Sequence, residues 1–558
     1  MPDATRPLLG AGTGDLAPAS QDTGHPKGRL GLLTVRRSKP HFVAPVLRSR
    51  THSSIIFVLN KGWDQTLMKS WMQWGCALGL GFAISLNAVA NGSPAQTPPS
   101  AKVDWAAAAR MDIEAIHATL RDNHPGPVDA ANPAFSKWLT EGRALALEQA
   151  ATATHAGDYW RAVRRYTNGF RDGHIHFGFS APMARAWPGL LTMRNADGRT
   201  TVVLNDEEPA VPRGAELLTC DGLDAQALQQ RWVDPYRWNA DIPHDRTAKS
   251  VFLMMAVDGD AQRPRVCRFR SEGREFELPL RWSSISEQRS SELIDRARGS
   301  TRPPLALRQI DQVWFVSLPT FHLNPEQVHT MRALIRELGQ AAQTLREAPW
   351  LVLDVRGNTG GNSGWGSEVA SALFGKVTVE RIEGQFDWTV DWRASPRNAM
   401  SLQQAADDAE QRGQLNDARY RRGLAAEIAE AATKGLPYVR KPSPARITAH
   451  NQDATSPFKG RVFLLTDHAC ASACLDFVDI ARRLPGVIHL GLPTSADSIY
   501  IDNTGGPLPS GQGSFSYSMK VYRNRIRSNN QWYEPAIQWP GGAMTDETVA
   551  AWVRSLKP

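Results

Sequence analysis

The stretch Leu464-Leu-Thr-Asp-His-Ala-Cys-Ala-Ser-Ala-Cys-Leu-Asp-Phe477 holds the residue best placed to do chemistry, Ser472. The apolar run Val462–Leu465 reads as a short buried strand, and the chain then restarts as an Ala/Leu/Phe-rich helix. Ser472 falls at the turn between them, flanked by residues small enough for a substrate backbone to approach. A hydroxyl there lies beside unpaired helix N-terminal N–H groups, which favour developing negative charge. The competing reading is a simple helix cap, since serine is a preferred N-cap residue. Three other segments can converge on it. Asp172-Gly-His-Ile-His176 places His174 and His176 on one face if the stretch is a strand. Histidine is the usual base for a serine nucleophile. The same pair supports two rival readings, a structural histidine or two imidazole ligands of a metal-assisted hydrolase. In Asp354-Val-Arg-Gly-Asn-Thr-Gly-Gly-Asn362, Gly360 and Gly361 let backbone N–H groups face a ligand without obstruction. Asp354 and Arg356 read as holding that loop. Glu534, in Tyr533-Glu-Pro535, is either an acid that orients a catalytic histidine or a surface residue.

The elements that must position these residues are legible in outline. Residues 103–168 carry helical spacing in Trp105, Ile113, Ile116 and Leu120, then in Tyr159, Val163 and Tyr166. From about 187 to 285 the pattern becomes short β-like runs such as Thr200–Leu204 and Glu275–Leu280. From Gln309 onward, Val313–Leu318, an amphipathic helix Pro325–Leu345, and the apolar strand Trp350–Val355 argue for an α/β core. Residues 395–436 read as a charged, Ala-rich helical insertion. The expected organisation is therefore multidomain α+β. It comprises an extension 1–67, a leader 68–90, a helical domain 91–186, a β-rich domain 187–300 and a core 301–558.

Met68–Ala90 reads as a secretory signal peptide, with Lys69, an apolar stretch and small Ala88-Val-Ala90 before the cut. That implies export to a periplasmic or extracellular space, with no stable membrane anchor after cleavage. Residues 1–67 read as an upstream extension from a misplaced start. Residues 1–90 carry ten Lys/Arg and four Asp/Glu, so they hold +6 of the net +8. The basic balance is thus mostly a property of the leader, and no nucleic-acid footprint remains. Neither GxGxxG nor GxxxxGK[ST] occurs, so a nucleotide site is disfavoured. Cys220 and Cys267 can pair within the β-rich region. Cys470 and Cys474, four apart in a regular helix, would have Cβ atoms about 5–6 Å apart, beyond the roughly 3.8 Å of a relaxed disulfide. Two buried thiols are expected there.

Taken together, the Asp-Gly-His segment, Leu351-Val-Leu-Asp-Val-Arg-Gly-Asn-Thr-Gly-Gly361, Ala471-Ser-Ala473 and Gly491-Leu-Pro-Thr494 resemble the serine peptidases that include tail-specific (C-terminal processing) proteases and the tricorn core. The resemblance runs over about residues 104–545. It implies a ClpP/crotonase-like α/β catalytic core and a PDZ-like module around Val211–Leu223. It also implies Ser472 as nucleophile, and an oxyanion hole from the Ala473 N–H with that of Gly360 or Gly361. Substrates would be peptides or unfolded proteins, and no cofactor is implied. Tail-specific proteases use a lysine just beyond the Gly-x-Pro-Thr element, but here Asp497 takes that place. Leu475 stands where a glutamate is common. The tricorn branch uses a histidine and a glutamate instead, which maps onto His174 and Glu534. The rival reading is a catalytically inactive peptide-binding protein on the same scaffold.

Overall fold

Valine, leucine, isoleucine and aromatic residues dominate Val313–Ser317, Trp350–Asp354, Arg461–Thr466 and Val487–Gly491, which pair in parallel. Ala306–Ile310 joins one edge antiparallel and Ile537–Gln538 the other edge in parallel, giving six strands. Register aligns Phe315, Val352, Phe463 and Ile488 across the four parallel strands. Runs this apolar are needed because both faces are covered. Val316, Leu353 and Leu464 pack on one side with the helices Pro325–Gln340, Gly364–Phe374 and Ala473–Ala481. Phe315, Val352 and Phe463 pack on the other with Val549 and Val553 of the C-terminal helix Asp546–Ser555.

These features come from a computed structural model. It describes residues 103–556 apart from 181–182, 196, 238, 240, 258–262, 300–301 and 443–454. All described residues lie in one compact unit, Ile56–Pro558. The expected extension 1–67 and leader 68–90 lie outside the described residues. No helix among the described residues is long and apolar enough to cross a membrane.

The helices Trp105–Asn123, Pro133–Ala150 and Ala156–Asn168 bury Ile113, Ile116, Leu120, Tyr159, Val163 and Tyr166, as their spacing requires. Their core is shared with an antiparallel sheet built from distant segments: His176–Phe179, Thr389–Arg393, Tyr438–Pro442, Tyr500–Pro507 and Gly513–Arg523. The helical region 91–186 and the core 301–558, which the sequence pattern sets apart as separate domains, therefore close around one set of side chains. Residues 395–436 form a helical hairpin, Pro396–Gln411 and Leu415–Thr433, set between two strands that pair from Thr389↔Pro442 to Arg393↔Tyr438. It is amphipathic, and Ala399, Leu402, Leu424 and Ile428 join the same core.

The β-rich region forms a six-stranded antiparallel sheet running from Leu191–Arg194 to Arg274–Pro279 over its own core. Cys220 and Cys267 are register partners on adjacent strands and are disulfide-bonded. Cys470 and Cys474 are also disulfide-bonded, contrary to the two thiols expected. The reason is that the helix begins only at Ala473. Cys470 precedes it, so helical i,i+4 geometry does not apply.

Candidate active site

Strand Arg461–Thr466 ends at a partly buried turn, and Ser472 stands at the N-cap position of the next helix with φ 53° and ψ −125°. A non-glycine residue occupies that region only at a cost of about 1–3 kcal/mol. A serine on a strained strand-to-helix turn is pushed out from the sheet end, as in a nucleophile elbow. Its side chain makes no cap hydrogen bond, so the helix-cap reading fails here.

The glycine loop lies against this turn. A Cβ on Gly360 would sit 2.7 Å from Ser472 Cβ and 3.0 Å from the Ala473 nitrogen. Gly360 has φ +101°, and its missing side chain keeps the space beside the Ala473 amide open. The Gly360 amide itself donates to Asn358 Oδ1 at 2.9 Å, so it is not available to an oxyanion. The amides of Gly361 and Ala473 donate to no protein group among the described residues. The sequence leaves Gly360 and Gly361 as alternatives, and the Asx turn of Asn358 favours Gly361. Gly361 is glycine for a further reason. A Cβ there would lie 2.1 Å from the Phe321 carbonyl carbon, where the loop bridges Phe321. Asp354 and Arg356 hold the loop, as their types suggest. Both are fully buried, and Arg356 Nη2 reaches Asp354 and Asp546, each at 2.6 Å.

We expect Gly360→Ala to lower stability by about 2 kcal/mol or more through the forbidden φ and the clash. Crowding of the Ala473 amide should also cut turnover by about 10²-fold or more. Thermal denaturation and steady-state rates check the two effects separately.

His174 lies in the turn before the strand His176–Phe179, whose pairing with Gly513–Arg523 carries it to the core. Its Nδ1 faces Asp172 Oδ1 at 3.4 Å, Asp497 Oδ1 at 3.6 Å and Ser498 Oγ at 3.4 Å. Its Nε2 has no protein partner among the described residues, and neither has the Ser472 hydroxyl. Burial lowers the imidazole's proton affinity, but Asp497 and then Asp172 outweigh it and raise the pKa to about 9. Asp172 is itself fixed. It accepts Ser498 Oγ–H at 2.7 Å and the His174 backbone N–H at 2.9 Å. The buried His124 completes its shell from Nε2 at 3.2 Å. Because Gly126 N–H donates to His124 Nδ1 at 2.9 Å, the His124 proton must sit on Nε2 and point to Asp172. Burial raises the Asp172 carboxyl, but the two imidazoles hold it well below the usual carboxylate range.

Arg525 connects this cluster to the serine. It pairs with Asp497 at 3.3 Å and with Asp476, which lies one helical turn beyond Ser472. Asp476 also accepts Ser363 Oγ–H at 2.6 Å, tying the glycine loop to the same helix. Leu475 is fully buried in the core below, which explains an apolar residue at that place.

Glu534 is exposed and accepts the Trp532 indole N–H at 2.9 Å. Among the described residues no hydrogen bond or ion pair joins it to His174. The carboxylates that face the imidazole are Asp172 and Asp497. Asp172 is visible in the Asp-Gly-His motif and Asp497 as the residue replacing the lysine. His124 carries no sequence signal beyond its place in Asn123-His-Pro-Gly126. His176 is exposed on its strand, and the strand begins after His174, so the two do not share a strand face. No group of three or more His, Cys, Asp or Glu among the described residues is arranged to hold a metal ion.

A strained serine at a sheet end, two unpaired amides and a carboxylate-held imidazole are the parts of a serine hydrolase site. The comparisons agree with that class. Residues 313–525 match the model of Peptidase family S41. The fold is similar to that of mature CPAF, with a TM-score of 0.52 at 15% identity, covering 80% of this chain and 96% of that one. Mature CPAF complexed with lactacystin gives a TM-score of 0.52 at 14% identity, covering 80% and 97%. A point mutant of CPAF gives a TM-score of 0.51 at 13% identity, covering 80% and 96%. No curated protein matches the chain.

Proposed function

We propose that this protein is an exported serine peptidase in which Ser472 is the nucleophile and His174 the general base. The observation that carries the reading is the His174 ring. Its Nδ1 is turned to two carboxylates and its Nε2 is left without a protein partner, the orientation a serine's base requires. The Ser472 Oγ–H proton passes to Nε2 as the oxygen attacks a peptide carbonyl. The oxyanion is held by the Gly361 and Ala473 amides. His174 then returns the proton to the leaving amine, and the acyl group leaves Ser472 on attack by a water deprotonated by the same nitrogen. Asp172 holds the imidazole in place of Glu534. The six-stranded β-rich region around Val211–Leu223 is read as a PDZ-like module that takes extended peptide by strand addition. Two disulfides fit an oxidising compartment and support export.

A fluorophosphonate probe tests the reading. Peptide mass spectrometry should find the adduct on Ser472. A folded protein that takes no probe would favour the peptide-binding alternative. Comparing Glu534→Gln with Asp172→Asn separates the two third members. Glu534→Gln should leave kcat/KM within about twofold, as for an ordinary surface change. Asp172→Asn should lower it by roughly 10²–10⁴-fold through loss of the held ring.

A further inference from the structure

We infer that the Cys470–Cys474 disulfide is a positioning clamp that fixes the Ser472 backbone in its reactive conformation, an inference that rests on the hydrolase reading above. The two cysteines stand two residues before and two residues after the nucleophile. In a G-x-S-x-G elbow those places are glycines, because the sharp turn brings them together. Here they are brought to a Cα–Cα distance of 5.3 Å and joined covalently, closing a five-residue ring with Ser472 at its centre. Ser472 is the member of that ring with a positive φ, and it has no side-chain bond to hold it there. The backbone bonds of the turn lie mostly on its helix side. On the N-terminal side, Cys470 N–H reaches Asp467 O at 3.2 Å and Ala471 N–H reaches Asn358 O at 3.4 Å. On the helix side, Cys474 N–H reaches Ala471 O at 3.1 Å, and the Ser472 carbonyl accepts Leu475 N–H at 2.9 Å and Asp476 N–H at 3.3 Å, so the Ser472 N–H side of the turn is the part the disulfide must hold. Both cysteines are fully buried in the core beneath the glycine loop, so the clamp is anchored rather than free to swing. The other disulfide, Cys220–Cys267, only ties neighbouring strands of the β-rich sheet.

Opening the clamp is a two-electron reduction. A dithiol gives up two electrons and two protons, Cys470 and Cys474 become thiols, and the dithiol closes to its cyclic disulfide. With the ring open, Ser472 can relax toward an ordinary helix N-cap backbone. The hydroxyl would then swing away from the Gly361 and Ala473 amides. A displacement of about 1 Å at a reacting atom is enough to cost about 100-fold in rate.

The test uses the full chain in three forms: wild type, Cys470→Ala/Cys474→Ala, and Cys220→Ala/Cys267→Ala. The fluorophosphonate labelling rate of Ser472 is measured before and after dithiothreitol, with alkylation and mass spectrometry reporting which thiols are free. Wild type and the Cys220/Cys267 variant should label fast when oxidised and about 100-fold more slowly once Cys470 and Cys474 are reduced. The rate should return on reoxidation. The Cys470/Cys474 variant should label slowly and ignore the reductant. On a fluorogenic casein the loss should lie in kcat, with KM unchanged, because the clamp touches no substrate. Fast labelling by the folded Cys470/Cys474 variant, or by wild type with both thiols alkylated, overturns the clamp and leaves the hydrolase reading standing. Should that variant fail to fold, reduced wild type decides the matter; should wild type resist reduction, the variant does. An oxidised wild type that never labels overturns both.

Discussion

Ser472→Ala should lower kcat for peptide hydrolysis by about 10⁵–10⁶-fold while leaving KM within a few-fold, the pattern expected when a nucleophile is removed and binding is not. The side chain makes no hydrogen bond among the described residues and is only partly buried, so its loss should leave the melting temperature essentially unchanged. Alanine suffers the same positive φ as serine, so backbone strain is equal in the two proteins. Stability and activity therefore separate cleanly at this position. A rate comparable to wild type, with the fold intact, would remove Ser472 from the chemistry.

The second large effect is on the pH profile. His174 must be neutral to take the serine proton, and its pKa stands at about 9 because Asp497 and Asp172 favour the imidazolium. Peptidase activity should accordingly be low at neutral pH and climb through an inflection near 9. Asp497→Asn removes the larger of the two attractive charges. It should move the inflection down by about one pH unit or more, toward neutral. A purely structural aspartate would lower the rate without moving the inflection. Stability carries the opposite sign. A group whose pKa is raised on folding contributes stability that is fully present below its unfolded value, 6.5 for the imidazole, and is lost as pH rises through about 9. Wild type should thus lose melting temperature between those values as activity grows, and His174→Gln should lack that loss. An inflection that stays near 6.5, or one that Asp497→Asn does not shift, would detach these carboxylates from the base.

The local chemistry of this protein is written in its sequence. An apolar strand ending in small residues around Ser472 is a strand-to-helix turn wherever it folds, because side-chain volume and strand length are properties of neighbours along the chain. The same holds for the glycine pair after Asp354, for the helical spacing of Ile113, Ile116 and Leu120, and for the parallel strands that begin at Val313, Trp350 and Val462. Each depends on a period of a few residues. What tertiary structure decided was which carboxylate meets which imidazole. Glu534 sits near Ser472's sheet in sequence order but pairs with Trp532. Asp497, which in the sequence is only the loss of a lysine, comes to His174 because Gly513–Arg523 pairs with both His176–Phe179 and Tyr500–Pro507. No periodicity encodes a contact between segments so far apart along the chain. The fate of Cys470 and Cys474 was settled in the same way. Spacing alone assumes a continuous helix, and the positive φ of Ser472 breaks it at the one residue that turns two thiols into a ring around the nucleophile.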